Sequence, residues 1–206
     1  TLDSTGDIDG GTDDATADLI GGTVSLTAAV GGIGQNTILD VTAATSLSAD
    51  TDAGDDAAIS MDSIGNLTVA LVDAGAGAVT LDSTGDIDGG TDDATADVVG
   101  GAVSLIAATG GIGQNTILDV TAATSLSADT DAGDDAAITI DSIGDVAIAL
   151  IDAGAGAVTL DSTGDIDGST DDATADLIGG TVSLIAAVGG IGQNTILDVT
   201  AATSLS

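Results

Sequence analysis

The run Thr1-Leu2-Asp3-Ser4-Thr5-Gly6-Asp7-Ile8 begins again at Thr80 and again at Thr159, so the chain repeats itself at a constant offset of 79 (80 − 1 and 159 − 80). Residues 80–158 differ from 1–79 at 12 of 79 positions, and residues 159–206 differ from 1–48 at 2 of 48. A repeat this exact builds a modular array, in which each unit buries its apolar face against the next. The chain therefore divides into one repeat over 1–79, a second over 80–158 and a partial third over 159–206, all in one continuous rod. It starts and stops inside its own repeat, with its single Met internal, and it shows no signal peptide. It reads as a piece of a longer protein.

Within each repeat the texture is that of strands. Val24-Ser-Leu26, Thr45-Ser-Leu47, Ile59-Ser-Met61, Leu67-Thr-Val69-Ala-Leu71 and Val79-Thr-Leu81 place apolar residues at i and i+2, the period of a strand with one buried face. Glycine-rich punctuation separates them, at Gly10-Gly11, Gly21-Gly22, Gly31-Gly32-Ile33-Gly34 and Gly75-Ala76-Gly77, where tight corners need unusual backbone angles. No stretch carries the i, i+3, i+4 spacing of a helix. The predicted fold is all-β: a right-handed parallel β-solenoid (β-helix) of about twenty-residue coils. Four coils would make one 79-residue repeat and about ten the whole chain, a rod of roughly 50 Å at about 4.8 Å per rung. Leu26, Leu47, Leu71, Val79 and Leu81 are expected to point inward. The exchanges Leu19/Val98, Met61/Ile140, Leu67/Val146, Val69/Ile148 and Val72/Ile151 keep an aliphatic residue and mark further core positions. Thr27/Ile106/Ile185 and Val30/Thr109/Val188 switch polarity and belong near a surface.

Composition agrees with a thin, tiled interior. The chain is 43% hydrophobic yet has no aromatic residue, whereas compact domains use aromatics to fill irregular cores. It has no proline, which leaves every backbone N–H free for a ladder. A solenoid of this kind exposes strand edges at its ends, so self-association end to end or laterally into a fibre is expected.

Charge excludes several functions. All 34 acidic residues are Asp, and with no Lys, Arg or His the net charge is −34. Nucleic acid is excluded as a partner, because phosphate neutralisation requires Lys or Arg. Anionic membrane surfaces would repel the chain, and no apolar stretch approaches eighteen residues, so no membrane insertion is expected. Cations are its natural partners. Without cysteine, disulfides say nothing of the compartment.

The runs GTVSLTAAVGGIG (22–34), GAVSLIAATGGIG (101–113) and AVTLDSTGDI (78–87) resemble the repeats of filamentous-haemagglutinin-type adhesins, large bacterial surface proteins with β-helical shafts. The resemblance covers essentially the whole chain. It implies a fragment of an extended, secreted stalk at the cell surface, engaged in adhesion, biofilm or contact with other cells.

Two aspartate clusters per repeat are the candidate sites. The first comprises Asp7, Asp9, Asp13 and Asp14, then Asp86, Asp88, Asp92 and Asp93, then Asp165, Asp167, Asp171 and Asp172, each set followed by a further Asp at 18, 97 or 176. The second comprises Asp50, Asp52, Asp55 and Asp56, then Asp129, Asp131, Asp134 and Asp135. Carboxylates on flexible loops suit Ca2+, which takes six to eight oxygen ligands. Neither cluster matches the EF-hand or the glycine-rich nonapeptide spacing, and Glu is absent. Carboxylates crowded at about 5 Å repel by nearly 1 kcal/mol per pair in water, while equivalent ones about 19 Å apart in successive repeats repel by only about 0.2. A local cation or a solvated acidic turn both answer that crowding, and the two readings stay open. Catalysis is not expected. Paired carboxylates serve glycoside hydrolysis, but no His, Lys, Arg, Tyr or Trp is present to tune an acid or hold a sugar, and the cluster recurs verbatim. The favoured function is a structural extracellular repeat protein forming a stalk, filament or surface-layer element, with a calcium-dependent binding or folding module as the alternative.

Overall fold

A computed structural model describes residues 1–51, 56–130 and 135–206. The described residues form fifteen strands and no helix, hydrogen-bonded side by side in parallel as one continuous sheet. The chain is a β-solenoid, as the period-2 pattern predicts. The offset between register partners varies along the rod. Ile59 sits beside Val79, an offset of 20 (79 − 59), and Ile33 beside Ile59, an offset of 26 (59 − 33). Following one column from Leu2 through Leu26, Ala49, Val72, Val98, Val120, Ser142 and Ser162 to Ala186 takes eight steps. The rod thus has about eight turns and is about 40 Å long at the usual strand spacing, shorter than ten coils would give.

The phase of the repeat also departs from expectation. A second column runs Ile8, Ile33, Ile59, Val79, Val103, Leu126, Ile148 and Gly168. Seven steps therefore bring Ile8 to within two positions of Ile166, its counterpart two repeats on (8 + 158 = 166). Two repeats make seven coils, so one repeat makes three and a half and not four. Ile87, one repeat after Ile8, stands in a different column with Leu67, Ile112, Ile138, Val158 and Val182. The cause is unequal coil length. The Asp-rich loop after Ile8 and the corner after Ile33 stretch their coils to offsets of 25 (33 − 8) and 26 (59 − 33), while the tight turn at Ser63–Asn66 leaves the next at 20 (79 − 59). Equivalent surfaces of copies one and two consequently emerge half a coil apart, on opposite sides of the rod.

The interior is filled by aliphatic columns. Leu39, Met61, Leu81 and Leu105 are successive register partners and all are buried. Each such side chain contributes about 1.5–3 kcal/mol through removal from water. Stacking like on like closes the core without aromatics. Leu26, Leu47, Val79 and Leu81 are buried as expected. Leu71 is not: it is 39% exposed, and Val72 takes the inward position. The strand Leu67–Asp73 turns a corner at Ala70-Leu71, where register against Leu39–Asp50 slips by one residue. Two consecutive side chains face out there, which strict alternation cannot foresee. Leu19/Val98, Met61/Ile140, Leu67/Val146, Val69/Ile148 and Val72/Ile151 sit in the core or pack against it, whereas Ile20, which exchanges with Val99, is exposed, as are Val30, Thr109 and Val188.

The Gly-Ile-Gly corners require their second glycine. Gly34 and Gly113 have φ of +66° and +64°, and a Cβ at either would collide with the carbonyl oxygen of Ser60 or Thr139 on the next coil.

Two substitutions check the register. Leu105→Ala should cost about 2–5 kcal/mol in denaturant unfolding, whereas Ile106→Ala, at its half-exposed neighbour, should cost less than about 1 kcal/mol. Gly113→Ala should destabilise by at least about 1 kcal/mol, because strain in φ adds to the collision.

Candidate functional site

The bridge between Ile8 and Ile33 lays Asp-Ile-Asp of one coil against Gly-Ile-Gly-Gln-Asn of the next. The carboxylates then serve as acceptors for that neighbouring backbone. The Gly32 N–H donates to Asp7 Oδ1 (2.9 Å), the Asn36 N–H to Asp9 Oδ1 (3.0 Å) and the Asn36 side-chain amide to Asp9 Oδ2 (2.9 Å). Gly111 and Asn115 do the same for Asp86 and Asp88, and Gly190 and Asn194 for Asp165 and Asp167. Partial burial pushes the Asp9 and Asp167 carboxyls up, but the Asn and neighbouring backbone hydrogen bonds outweigh it and hold both below the usual range. These aspartates clamp one coil to the next.

The loop that follows is tied by its own turn chemistry. Thr16 donates to Asp14 through both N–H (2.8 Å) and hydroxyl, and Thr12 Oγ1 donates to Asp14 Oδ2 (2.8 Å). Asp93 and Asp172 hold identical turns with Thr91, Thr95, Thr170 and Thr174. The threonine hydrogen bonds keep all three carboxyls below the usual range. Asp13, Asp92 and Asp171 are exposed beside them. Asp18 fastens the base of the loop, accepting from Gly11 N–H (3.1 Å) and from Asp40 N–H on the next coil (3.2 Å). Its counterpart Asp97 accepts from Gly90 and Asp119, and burial pushes its carboxyl up to about 6 despite those bonds and with the aid of Asp119 and Asp93.

Of the second cluster, Asp52, Asp55, Asp131 and Asp134 lie outside the described residues. Asp56 and Asp135 occupy left-handed turns at φ +51° and +52°, which Asp tolerates. Asp135 Oδ1 accepts from Ala155 N–H (3.0 Å) on the following coil. Asp50 and Asp129 end their strands as register partners of Asp73 and Asp152. The structure thus spreads the described members of the second cluster along the coil path, Asp50 and Asp129 at strand ends and Asp56 and Asp135 in turns.

What it brings together are aspartates outside both clusters. Asp40, Asp62 and Asp82 are direct register partners on three successive coils, and so are Asp119, Asp141 and Asp161. Each follows an inward aliphatic residue, as in Leu39-Asp40, Met61-Asp62 and Leu81-Asp82. Each ladder floors a groove under the overhanging loop: Asp13 and Asp14 line the first, and Asp93 lines the second with Ser142, Ile143 and Ile185. The first loop is pinned there by the N–H of Asp14, which donates to Asp40 Oδ2 (3.4 Å). Burial pushes the Asp62 carboxyl up to about 6, helped by Asp82, Asp40 and Asp13. Burial raises Asp82, Asp119 and Asp141 too, with the ladder and loop carboxylates adding repulsion at Asp119 and Asp141. Among the described residues no three carboxylates close into a ready-made chelate.

No family model matches the chain, and no curated protein or solved structure is significantly similar to it. The β-helical repeat architecture therefore rests on the coil geometry.

Two opposing sets of carboxyls set the pH dependence. Asp62 and Asp97, with folded values about 6 against 3.8, favour folding when protonated, so their contribution is lost as pH rises through about 6. Asp9, Asp14, Asp93, Asp167 and Asp172 lie below 3.8, so their contribution is lost as pH falls below about that value. Thermal melts should show Tm rising from pH 7 to 5 and falling again below about pH 4. Asp62→Asn should raise Tm at pH 7 and flatten the rise.

Proposed function

We propose that the chain is a shaft segment of a repetitive extracellular structural protein: a stalk, filament or surface-layer element of the kind found in filamentous-haemagglutinin-type adhesins. The observation that carries this reading is the parallel ladder joining all fifteen described strands, in which aliphatic columns such as Leu39, Met61, Leu81 and Leu105 persist from coil to coil. Such a ladder gives reach and stiffness, and its length grows by adding repeats. The half-coil phase of the repeat presents the same acidic loop on both sides of the rod, which suits a uniform shaft better than a single recognition face. Self-association of such shafts, end to end or laterally, belongs to this reading, since a parallel ladder offers unpaired strand edges. A shaft needs no catalytic centre, and we assign none. Absence of Lys and Arg removes every trypsin site, an advantage on an exposed surface.

The alternative, a module whose Asp loops fold only around calcium, has less support. Asp7, Asp9 and Asp14 already accept hydrogen bonds from their own chain. Circular dichroism in excess chelator should retain the full β signal, and its collapse would favour the alternative. Immunogold electron microscopy of intact producing cells, with antibody against residues 12–18, should decorate projections on the cell surface. Label confined to the cytoplasm would overturn the stalk reading.

A further inference from the structure

The second groove holds three buried polar atoms with nothing to bond to. Asp119 is 2% exposed and its Oδ2 has no hydrogen-bond partner; Asp161 Oδ1 and Ser142 Oγ are likewise unpartnered. All three residues line the same groove, together with Asp93 and Asp141. An unpaired buried acceptor is destabilising, and more so when it is charged. Nothing within the chain can relieve it, since the sequence contains no Lys, Arg or His. The compensating charge must come from outside. Water would satisfy the hydroxyl, but it leaves three stacked carboxylates facing one another on successive rungs.

We propose that the groove floored by Asp119, Asp141 and Asp161 is a binding site for a calcium-class divalent cation, held between carboxylates of adjacent coils. Rung spacing is about 4.8 Å, and Ca2+ binds oxygen at about 2.3–2.6 Å, so one ion fits between the carboxylates of neighbouring rungs. All available donors are oxygen, from carboxylate, hydroxyl, carbonyl and water, which selects hard cations over those that prefer nitrogen or sulfur. The trough is open and irregular, which suits the variable coordination of Ca2+ better than the strict octahedron of Mg2+. The overhanging loop supplies Asp93. This site differs from the loop clusters themselves. It is preformed by the stacked coils, so occupancy is not required for folding.

Calorimetric titration of CaCl2 into the 206-residue chain at low ionic strength should give saturable binding of one ion per chain. Asp141→Asn should abolish it, while Asp3→Asn, which lines no part of the groove, leaves it unchanged. Circular dichroism should show the variants folded, since each removes a repulsive charge. Amide shifts of the unmodified chain on adding CaCl2 should centre on residues 93, 119, 141 and 161. Absence of saturable uptake, uptake undiminished in Asp141→Asn, or shifts confined to 50–58 and 129–137 would each overturn the proposal. The chelator experiment above reads folding and the immunogold experiment reads location, so failure here leaves the stalk reading standing.

Discussion

Parallel pairing of each coil with its successor is the constraint on which the rest of this molecule depends. In a ladder of this kind a residue meets its register partner one rung away, at about 4.8 Å, whatever its chemistry. For aliphatic side chains the consequence is favourable. Leu39, Met61, Leu81 and Leu105 form a column whose members each shield the next from water, and small, similar side chains fill it without voids.

For carboxylates the same register is unfavourable, and the protein answers in two ways. Where an Asp can reach the backbone of the next coil, it becomes a clamp, as Asp7 and Asp9 do with Gly32 and Asn36. Where Asp stacks on Asp, as along Asp40, Asp62 and Asp82, protein donors are too few and the charge is raised in energy by burial and by its neighbours. At the Asp9-type clamp hydrogen bonds win over desolvation; along the ladder desolvation wins. That difference separates structural aspartates from those poised to take up a proton or a cation.

Coil length turns this local rule into a global arrangement. Because the coil offset varies from 20 at Ile59/Val79 to 26 at Ile33/Ile59, one repeat spans three and a half coils, and successive copies of one loop alternate sides. A charge that would otherwise recur along a single edge is distributed around the rod. With −34 on the chain, that distribution lessens self-repulsion between copies, which salt screens further.

The sequence by itself determined the class of fold: period-2 alternation in short glycine-bounded runs, within a long and nearly exact repeat, leaves a stacked β architecture and little else, and it placed Leu26, Leu47, Val79 and Leu81 correctly. It also picked out the Asp-Ile-Asp loops, because their density is visible along the chain. Tertiary structure alone decided that Leu71 faces solvent, since a corner inside one strand breaks the alternation. It alone assembled the two aspartate ladders, whose members are separated along the chain by a whole coil, from Asp40 to Asp62 and from Asp62 to Asp82. Those unequal spacings carry no local signal, because register in a solenoid is set by the length of each intervening loop, and loop length becomes meaningful only once the coils are stacked.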